Sequence, residues 1–376
     1  MFRLKKKPIH NCKILFIAPD VGSGGAENIL FNVIKERSKE EVFVVSLKEI
    51  GFYGKKLIKN GYKVYSLNMK KNIFIFFKVF KLFLLIIKLN PSIVHTWLYH
   101  GNLLGGTLAK IAGIKKIYWS IHHDFEYSNL LMKIEMKILI LLSYFVPNKI
   151  IYCSSLAKSN HVKNGYKKNN SITINNGVDL SKYKPNKKYR RKIREELNIS
   201  EDCLLIGNIS RYNQIKDHDN LLKALNILNQ YDNNFKCILV GIGLSNRNSE
   251  LINKIEKNKL LDKVLLYGKS YEVKKILNAL DINVLSSLKE GFGMVLLEAM
   301  SSGTPCLSTD VGAAKIIIDK TGWLVKTSNP IDMAECLLKI SRNKNIIKQK
   351  SKLVRNRIKK LFSLEKMNEK YKNLYI

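Results

Sequence analysis

The sequence is poor in acidic residues, and the shortage is uneven along the chain. Asp and Glu number 30 against 65 Lys and Arg, which gives a formal net charge of +35. Between Glu49 and Asp124 there is no acidic residue, whereas twelve lysines occur there. Unpaired basic charge attracts anionic partners, and a membrane leaflet, a lipid diphosphate and nucleic acid all qualify.

Paired cysteines are also missing. The six cysteines are scattered along the chain: Cys12, Cys153, Cys203, Cys237, Cys306 and Cys336. Their spacing argues against a disulfide framework and against a zinc site, and it suits a reducing cytosol.

Long uninterrupted apolar runs are missing too. The first run, Ile14 to Pro19, is too short for a secretory signal and no small-residue cleavage site follows it, so we predict a buried strand. Residues 72–89 are more apolar but contain three lysines, and charges within a membrane span are costly. We predict a helix there that covers a parallel sheet or places one face at a membrane interface. Residues 129–146 predict a second helix, which likewise either packs on the core or contacts the membrane.

Short apolar runs alternate with helical segments in both halves of the chain, which predicts an α/β fold with parallel sheets. The predicted strands are 13–19, 42–47, 63–67, 91–98, 116–121, 150–154, 204–209, 236–241, 264–268 and 282–285. The basic segment 183–194 contains Pro185 and predicts the start of a linker. Residues 332–361 are predicted to be helical, and they are basic.

The stretch from Asp281 to Pro305, DINVLSSLKEGFGMVLLEAMSSGTP, organises the chain. It predicts a strand, a polar loop with two glycines, and a helix that begins near residue 294. Glu290 stands in the loop and Glu298 in the helix, with seven residues between them. A glycine lets backbone approach a ligand, and a helix start favours an anion. The plain alternative is an ordinary strand–loop–helix with surface glutamates.

The pattern E-G-F-G-x-x-x-x-E-A-M-x-x-G-x-P in this stretch resembles the donor-site signature of the retaining glycosyltransferases of family 4. The resemblance implies the GT-B arrangement, α/β with two Rossmann-like domains whose parallel sheets face a central cleft. It implies an N-terminal acceptor-binding domain over 1–182, with a helix over about 362–376 packing back on it. It implies a C-terminal donor-binding domain over 183–361.

The resemblance also assigns the donor-binding residues. Glu290 is expected to contact the transferred sugar, and Glu298 the ribose of the nucleotide. Arg211 and Lys216 match a pair of basic residues that hold the diphosphate. The remaining expected donor contacts are Gly24, Gly25, Phe292, Gly293, Met294 and Val295.

A second catalytic candidate comes from the end of a predicted strand. Residues 116–121 lead into His122 and His123, and open α/β sheets bind ligands beyond the carboxyl ends of their strands. In proteins of this fold a histidine near this place lies beside the anomeric carbon, so the resemblance implies a catalytic His122, with His123 as the alternative. The D-x-D pattern of Asp217 and Asp219 is interpreted as a helix cap. No metal and no cofactor are expected.

These features together predict a retaining, metal-independent glycosyltransferase. It is expected to move a sugar from a UDP-linked donor to a glycan or a polyprenyl-diphosphate-linked acceptor in surface polysaccharide synthesis, such as O-antigen or capsule. The expected location is cytoplasmic, peripheral on the inner face of the cytoplasmic membrane. The alternatives are a nucleotide-sugar epimerase of the same fold, and a non-catalytic basic module that binds anionic membrane or nucleic acid. Basic and aromatic residues do not alternate as in single-strand binders, so no nucleic-acid partner is expected.

Overall fold

The computed structural model describes residues 13–69, 75–125 and 129–376, which divide into two compact units. Unit 1 comprises the described residues up to Asn176 together with Met367–Ile376, and unit 2 is Gly177–Lys366. The chain therefore leaves unit 1 once and returns to it near its end. Cys12 and residues 72–74 of the first predicted apolar helix lie outside the described residues.

Unit 1 is built on a parallel sheet, in which the described residues form seven strands in the order β3-β2-β1-β4-β5-β6-β7. The strands are β1 Ile14–Ala18, β2 Val42–Ser46, β3 Lys63–Ser66, β4 Ile93–Trp97, β5 Lys116–Ile121, β6 Lys149–Tyr152 and β7 Ser171–Thr173. Every residue of β1 and β4 is buried, as expected for a parallel sheet covered on both faces.

Helices connect these strands. They are α1 Gly25–Lys35, α2 Phe52–Lys59, α3 Ile75–Leu89, α4 Leu98–His100, α5 Thr107–Ile111, α6 Leu130–Leu142 and α7 Ser155–Lys163, with a π-helical segment, Gly101–Gly106, between α4 and α5. The segments α3 and α6 are the two apolar helices predicted from the sequence. In the described ranges, no helix has both the length and the hydrophobicity that crossing a bilayer requires.

Unit 2 has a parallel sheet of six strands among the described residues, in the order β10-β9-β8-β11-β12-β13. The strands are β8 Leu204–Ile209, β9 Phe235–Val240, β10 Val264–Gly268, β11 Ile282–Leu285, β12 Cys306–Thr309 and β13 Trp323–Val325. The helices are α8 Lys187–Glu196, α9 His218–Tyr231, α10 Ser249–Lys257, α11 Val273–Ala279, α12 Met294–Ser301, α13 Ala314–Ile318, α14 Pro330–Arg342 and α15 Lys344–Leu361. One aliphatic core joins the sheet to α9, α10 and α14.

The structure corrects one prediction in unit 2. The predicted linker is largely helix α8, because Pro185 precedes the helix, the Asn186 side chain caps it, and four of its basic residues pair with carboxylates. Arg194 is only 2% exposed and its guanidinium lies 3.2 Å from Asp281, which also pairs with Arg190 at 2.9 Å. The prediction that residues 332–361 are helical is confirmed: the segment contains most of α14 and all of α15, which are separated at Asn343.

The last helix, α16 Leu364–Tyr375, begins in unit 2 and ends in unit 1. Tyr371 and Tyr375 are buried there. The Tyr375 hydroxyl lies 2.5 Å from Nδ1 of His95 in β4, and Nε2 of the same ring lies 2.8 Å from the Ser120 hydroxyl in β5. The end of the described chain thus completes the polar centre of the unit 1 core.

Each sheet has one place where its strand order reverses, between β1 and β4 in unit 1 and between β8 and β11 in unit 2. The loops that follow the carboxyl ends of two such strands diverge and leave a crevice, which is where open α/β sheets bind ligands. The residues of both crevices are therefore the candidates for chemistry.

Candidate active site

The crevice of unit 2 is formed by the loops that follow β8 and β11, and these loops are bonded to each other. The backbone N–H of Leu288 donates to the carbonyl of Ile215 (2.8 Å). The Ser286 hydroxyl donates to the carbonyl of Lys216 (2.8 Å). The two loops therefore hold each other in place, independently of any ligand.

Lys216 and Glu290 meet at this junction as an ion pair. The side chains are 19% and 13% exposed, and the Ser287 hydroxyl donates a second hydrogen bond to Glu290 Oε1 (2.8 Å). The structure therefore brings together two of the residues that the sequence predicts for donor binding. Ser286 and Ser287, which orient them, were not singled out from the sequence.

Local backbone features explain where Lys216 stands. The residues Gln214–Lys216 form a 3-10 turn that the Asn213 side chain caps by accepting from the Lys216 N–H (3.1 Å). Asp217 follows in the left-handed region, at φ 46°, and its carboxylate caps α9 by accepting from the Asn220 N–H (3.2 Å). The interpretation of this D-x-D pattern as a helix cap is confirmed for Asp217. Asp219 pairs instead with Lys254 at 3.0 Å.

Arg211, the second predicted basic residue, is exposed in the same loop and forms no ion pair with the part of the chain that the structure describes. Its loop is shaped by Gly241, a residue that the sequence reading missed. A Cβ on Gly241 would lie 1.7 Å from the Ser210 carbonyl oxygen, so only glycine allows this approach. The G-x-G pattern of Gly241 and Gly243 directly after a strand was the signal.

Glu298 lies on α12 in a different setting from Glu290. Burial raises the pKa of Glu298 above its usual value, while the positive charge of Lys182 and a hydrogen bond from Tyr183 oppose the shift. Its neighbours are thus residues that precede α8, whereas Glu290 pairs with Lys216. No contact recorded among the described residues joins the two glutamates.

The other predicted residues of this loop and helix differ in accessibility. Phe292 is buried and its ring packs edge-on against Phe362, so any ligand contact it makes must come from its backbone. Gly293 precedes the first turn of α12 at φ 88°, and no side chain caps this helix start. Met294 and Val295 are half-buried.

A cavity of about 560 Å³ lies beside the Lys216 loop, lined in part by Tyr212, Glu250 and Lys254. Its charges are paired with each other, because Lys254 bridges Asp219 and Glu250, and the Tyr212 hydroxyl donates to Glu250 (2.9 Å). Neither Lys216 nor Glu290 lines this cavity, so its size does not identify it as the anion site.

In unit 1, residues 20–27 form a glycine-rich turn that leads from β1 into α1, and this turn has a packed part and an exposed part. A Cβ on Gly51 would lie 2.5 Å from the Cα of Gly22, so these two backbones are in close contact. Gly24 and Gly25 are exposed at the start of α1, which no side chain caps. The first observation supports tight packing, and the second leaves the two predicted donor contacts accessible.

His122 follows β5 and is 7% exposed. Its ring stacks on the indole of Trp97, with centroids 4.5 Å apart and planes 22° apart. Neither ring nitrogen has a hydrogen-bond partner among the described residues. Burial, helped by the nearby charge of His123, lowers the pKa of His122 to about 3, so the ring is neutral at physiological pH. Buried polar atoms are usually hydrogen-bonded, so both ring nitrogens of His122 remain available to bond a ligand.

Comparison with known proteins agrees with this architecture. The family description "Glycosyltransferase Family 4" matches residues 23–182, and "Glycosyl transferases group 1" matches residues 189–361. Together the two matches cover most of the chain.

Curated relatives share a quarter or more of the aligned residues. An N-acetyl-alpha-D-glucosaminyl L-malate synthase of Bacillus anthracis is 28% identical over 206 residues, which is 54% of this chain and 52% of that protein. An Escherichia coli protein described as a UDP-Gal:alpha-D-GlcNAc-diphosphoundecaprenol alpha-1,3-galactosyltransferase is 27% identical over 312 residues, which is 78% of each chain. The chain thus spans about half the length of the first of these relatives.

Solved structures share the fold over nearly the full length. Anabaena HepE in complex with UDP superposes with a TM-score of 0.86 at 19% identity, covering 96% of this chain and 99% of that one. A glycosyltransferase of Rickettsia africae gives 0.79 at 22% identity, covering 97% and 98%. The chain therefore belongs to the family 4 glycosyltransferases and adopts the GT-B fold.

Proposed function

We propose that this chain is a retaining glycosyltransferase that transfers a sugar from a UDP-linked donor. The observation that carries the proposal is the Lys216–Glu290 pair at the crevice of unit 2, with the exposed Arg211 in the same loop. Two cations can stabilise a departing diphosphate, and a carboxylate beside them can hold a sugar hydroxyl. The structural likeness to a protein solved with UDP supports the choice of nucleotide.

In the proposed reaction, the bond between the anomeric carbon and the diphosphate oxygen breaks as the bond to the acceptor oxygen forms. The acceptor's proton passes to the departing phosphate oxygen on the same face of the sugar, so an α-linked donor gives an α-linked product. Arg211 and Lys216 stabilise the diphosphate charge, and Glu290 orients the sugar. His122, neutral in the folded protein, hydrogen-bonds a sugar hydroxyl and stabilises the developing charge without becoming a nucleophile.

Because Arg211 and Lys216 supply the positive charge, we propose that transfer needs no metal ion. Glu298 is assigned to the ribose, and Gly24 and Gly25 to the donor's phosphate or sugar oxygens. Phe292, Gly293, Met294 and Val295 would complete the donor contacts. Activity that is lost on chelation and restored by magnesium or manganese would show that the metal part of the proposal is wrong.

We propose a glycan or polyprenyl-diphosphate-linked acceptor, in the synthesis of a surface polysaccharide. The support is the Escherichia coli relative, which is described as acting on a diphosphoundecaprenol-linked sugar. The basic stretch between Glu49 and Asp124 also suits an anionic lipid substrate.

We further propose peripheral attachment to the cytoplasmic face of the membrane through α3 and α6. The helix α3 packs against α5, and α6 packs against the π-helical segment that leads into α5, so the two flank one helical segment. Both expose large apolar side chains: Phe76, Phe80, Leu84 and Ile87 on α3, and Leu130, Leu131, Ile134, Ile138 and Leu141 on α6. Lysines at positions 78, 81, 88, 133 and 137 accompany them, and each contributes about 1 kcal/mol near an anionic leaflet.

A nucleotide-sugar panel tests the transferase proposal. The chain is incubated separately with UDP-, GDP- and TDP-sugars. Only the UDP-sugars are expected to stabilise the folded chain, by about 2.7 kcal/mol when the ligand is at a hundred times its Kd. The selected donor is then offered with polyprenyl-diphosphate-linked mono- and disaccharides, and Glu290→Ala serves as the matched variant of reduced turnover. A β-linked product from an α-donor, identified by proton NMR couplings, would refute retention.

Two other results would refute the transferase proposal in different ways. An epimerase would release an altered nucleotide sugar with no acceptor present. A binding module would turn over nothing and would lose affinity for anions steeply with salt.

Membrane attachment is tested by co-sedimentation with vesicles. Binding is expected to vesicles that contain phosphatidylglycerol and to weaken in salt, and Phe80→Glu with Leu131→Glu should abolish it. A control pair with similar exposure on unit 2, Tyr231→Glu and Ile331→Glu, should bind as the unmodified chain does. Equal recovery in the supernatant with and without anionic vesicles would show that the attachment proposal is wrong.

A further inference from the structure

Trp97 lies at the reversal point of the unit 1 sheet. It is the last residue of β4, the strand between β1, which leads into the glycine-rich turn, and β5, which leads into His122. The side chain is 1% exposed, and the following residue, Leu98, has a φ of 63°. A left-handed conformation at a bulky residue is strained, and such strain is found where the surroundings fix the backbone.

The indole of Trp97 contacts both features that flank it. One face stacks on the His122 ring at 4.5 Å. The indole N–H donates to the carbonyl of Ala26 (3.1 Å), which is in the first turn of α1, next to Gly24 and Gly25. Trp97 thus connects the strand end that carries the candidate catalytic histidine with the turn that carries the predicted donor glycines.

Two further rings support Trp97 within the core. The His95 ring lies 5.1 Å from the indole, and the Tyr371 ring of α16 lies 6.2 Å from it. His95 is itself fixed by Tyr375 and Ser120. The indole therefore has little freedom to turn, and a ring stacked on it inherits that rigidity.

Stacking fixes His122 without occupying its nitrogens. A catalytic histidine is commonly oriented by a hydrogen bond to one of its ring nitrogens, which then cannot contact a substrate. Here both nitrogens of His122 are buried and have no hydrogen-bond partner in the described ranges, while the plane of the ring is set by Trp97. The arrangement leaves one donor and one acceptor available to the same ligand.

We propose that Trp97 is a positioning residue for sugar transfer: its indole orients His122 by stacking, and its hydrogen bond to Ala26 helps to hold the indole in place. The proposal rests on the proposed function for its kinetic part only. The simpler explanation is that Trp97 merely fills the core. Trp119 offers a comparison, because it is equally buried in β5, but its indole N–H has no partner in the described part of the chain and it is not stacked on His122.

The kinetic test compares Trp97→Leu, Trp97→Phe and the control Trp119→Phe, with the UDP-sugar selected by the panel. We expect Trp97→Leu to lower kcat about tenfold, as His122→Ala does, and to leave the KM for the UDP-sugar unchanged. Trp97→Phe keeps an aromatic face and should recover most of the activity. The double variant Trp97→Leu/His122→Ala should be no slower than His122→Ala alone, because Trp97 acts through His122. The proposal would be overturned if the kcat losses of Trp97→Leu and His122→Ala multiplied in the double variant. It would also be overturned if Trp119→Phe lowered kcat as much as Trp97→Leu does.

A second test needs no substrate. In the chain labelled with ¹³C-histidine, the His122 Cε1–H signal, assigned by its absence in His122→Ala, should carry a ring-current shift from the indole. The shift should fall in Trp97→Leu, persist in part in Trp97→Phe and stay unchanged in Trp119→Phe. If Trp97→Leu does not fold, the Trp97→Phe spectrum decides. If the chemical shift of the His122 signal is the same in the unmodified chain and in the Trp97 variants, the positioning role is refuted. A signal that moves in a chain without transferase activity refutes the proposed function instead.

Discussion

The two crevices occupy equivalent places in two similar sheets, yet their chemistry is opposite. In unit 2 the crevice contains a lysine paired with a glutamate and an exposed arginine, all reachable from solvent. In unit 1 the corresponding strand β4 ends in the buried Trp97, and the histidine that follows the neighbouring strand β5 is neutral and stacks on this indole. No charged side chain contacts the ring nitrogens of this histidine among the described residues.

This difference indicates a division of labour that the shared fold does not dictate. A departing diphosphate is stabilised by fixed positive charge, which Arg211 and Lys216 can supply. A sugar or acceptor hydroxyl needs a neutral donor and acceptor held still, which burial and stacking provide. The same parallel-sheet edge can thus serve an anion in one unit and a neutral group in the other, according to the side chains of a few loop residues.

The largest expected effect comes from removing the positive charge of unit 2. Lys216→Ala should lower kcat/KM roughly 100-fold, because a cation that stabilises the leaving group in the transition state is lost. It should also weaken UDP binding, measured by titration calorimetry, whereas His122→Ala should slow transfer and leave UDP affinity unchanged. Glu250→Ala, on the neighbouring surface of unit 2, is the matched control and should behave as the unmodified chain does. Equal effects of Lys216→Ala and His122→Ala on UDP affinity would contradict the proposed difference between the two crevices.

A second prediction distinguishes the roles of the two glutamates in unit 2. Glu298→Ala should weaken nucleotide binding, whereas Glu290→Ala should mainly lower turnover, since the two carboxylates have different neighbours and different assigned partners. A lost charge-assisted hydrogen bond costs roughly 1.5–3 kcal/mol, which is about a tenfold to 150-fold change. Calorimetric titration with UDP and steady-state kinetics separate the two roles. Small, equal effects of both substitutions on affinity and rate would count against the assignment.

A third prediction concerns stability in acid rather than catalysis, and the loss of stability should be greater in unit 1. Burial lowers the pKa of His95 and His122 to about 3 and of His161 to about 4, all in unit 1, and of His218 in unit 2 to about 4. The unfolded chain takes up protons on these rings below about pH 6.5, and the folded chain does not. Stability is therefore fully present above about pH 6.5 and is lost as the pH falls towards 4, by up to about 2 kcal/mol per histidine at pH 5.

Hydrogen exchange measured by mass spectrometry at pH 7 and pH 5, corrected for the intrinsic rate, can follow the two units separately. Peptides of unit 1 should lose protection first. His161→Gln should reduce the acid sensitivity, and His100→Gln, which changes an exposed ring, should not. Earlier loss of protection in unit 2 would contradict the prediction.

Most of the fold could be predicted from the sequence, because buried strands of parallel sheets are short apolar runs with clear ends. The strands 116–121, 204–209, 264–268 and 282–285 agree with the structure residue for residue. The linker prediction failed since pairing, not local composition, decides whether a basic segment can be helical. Arg194 is buried against Asp281, 87 residues away in the sequence, and no local pattern reports such a partner.

The candidate site was predictable in part and for a similar reason. Glu290 and Lys216 were found through a motif, and the structure shows them in contact. The roles of Trp97 and Ser287 depend on which strands are neighbours and on which way a loop turns. In the sequence, Trp97 is one apolar residue of a predicted strand. Its role cannot be predicted there, because its contacts with His122 and Ala26 exist only once β1, β4 and β5 lie side by side.

The return of α16 to unit 1 has a consequence for the order of events on the ribosome. The residues of unit 2 are all translated before Tyr371 and Tyr375, which occupy the core of unit 1 beside His95. The core of the nascent unit 1 therefore lacks both tyrosines while unit 2, about half of the chain, is synthesised. Unit 1, although most of it is translated first, therefore cannot complete its core ahead of unit 2, in contrast to the usual order in which the N-terminal domain folds first.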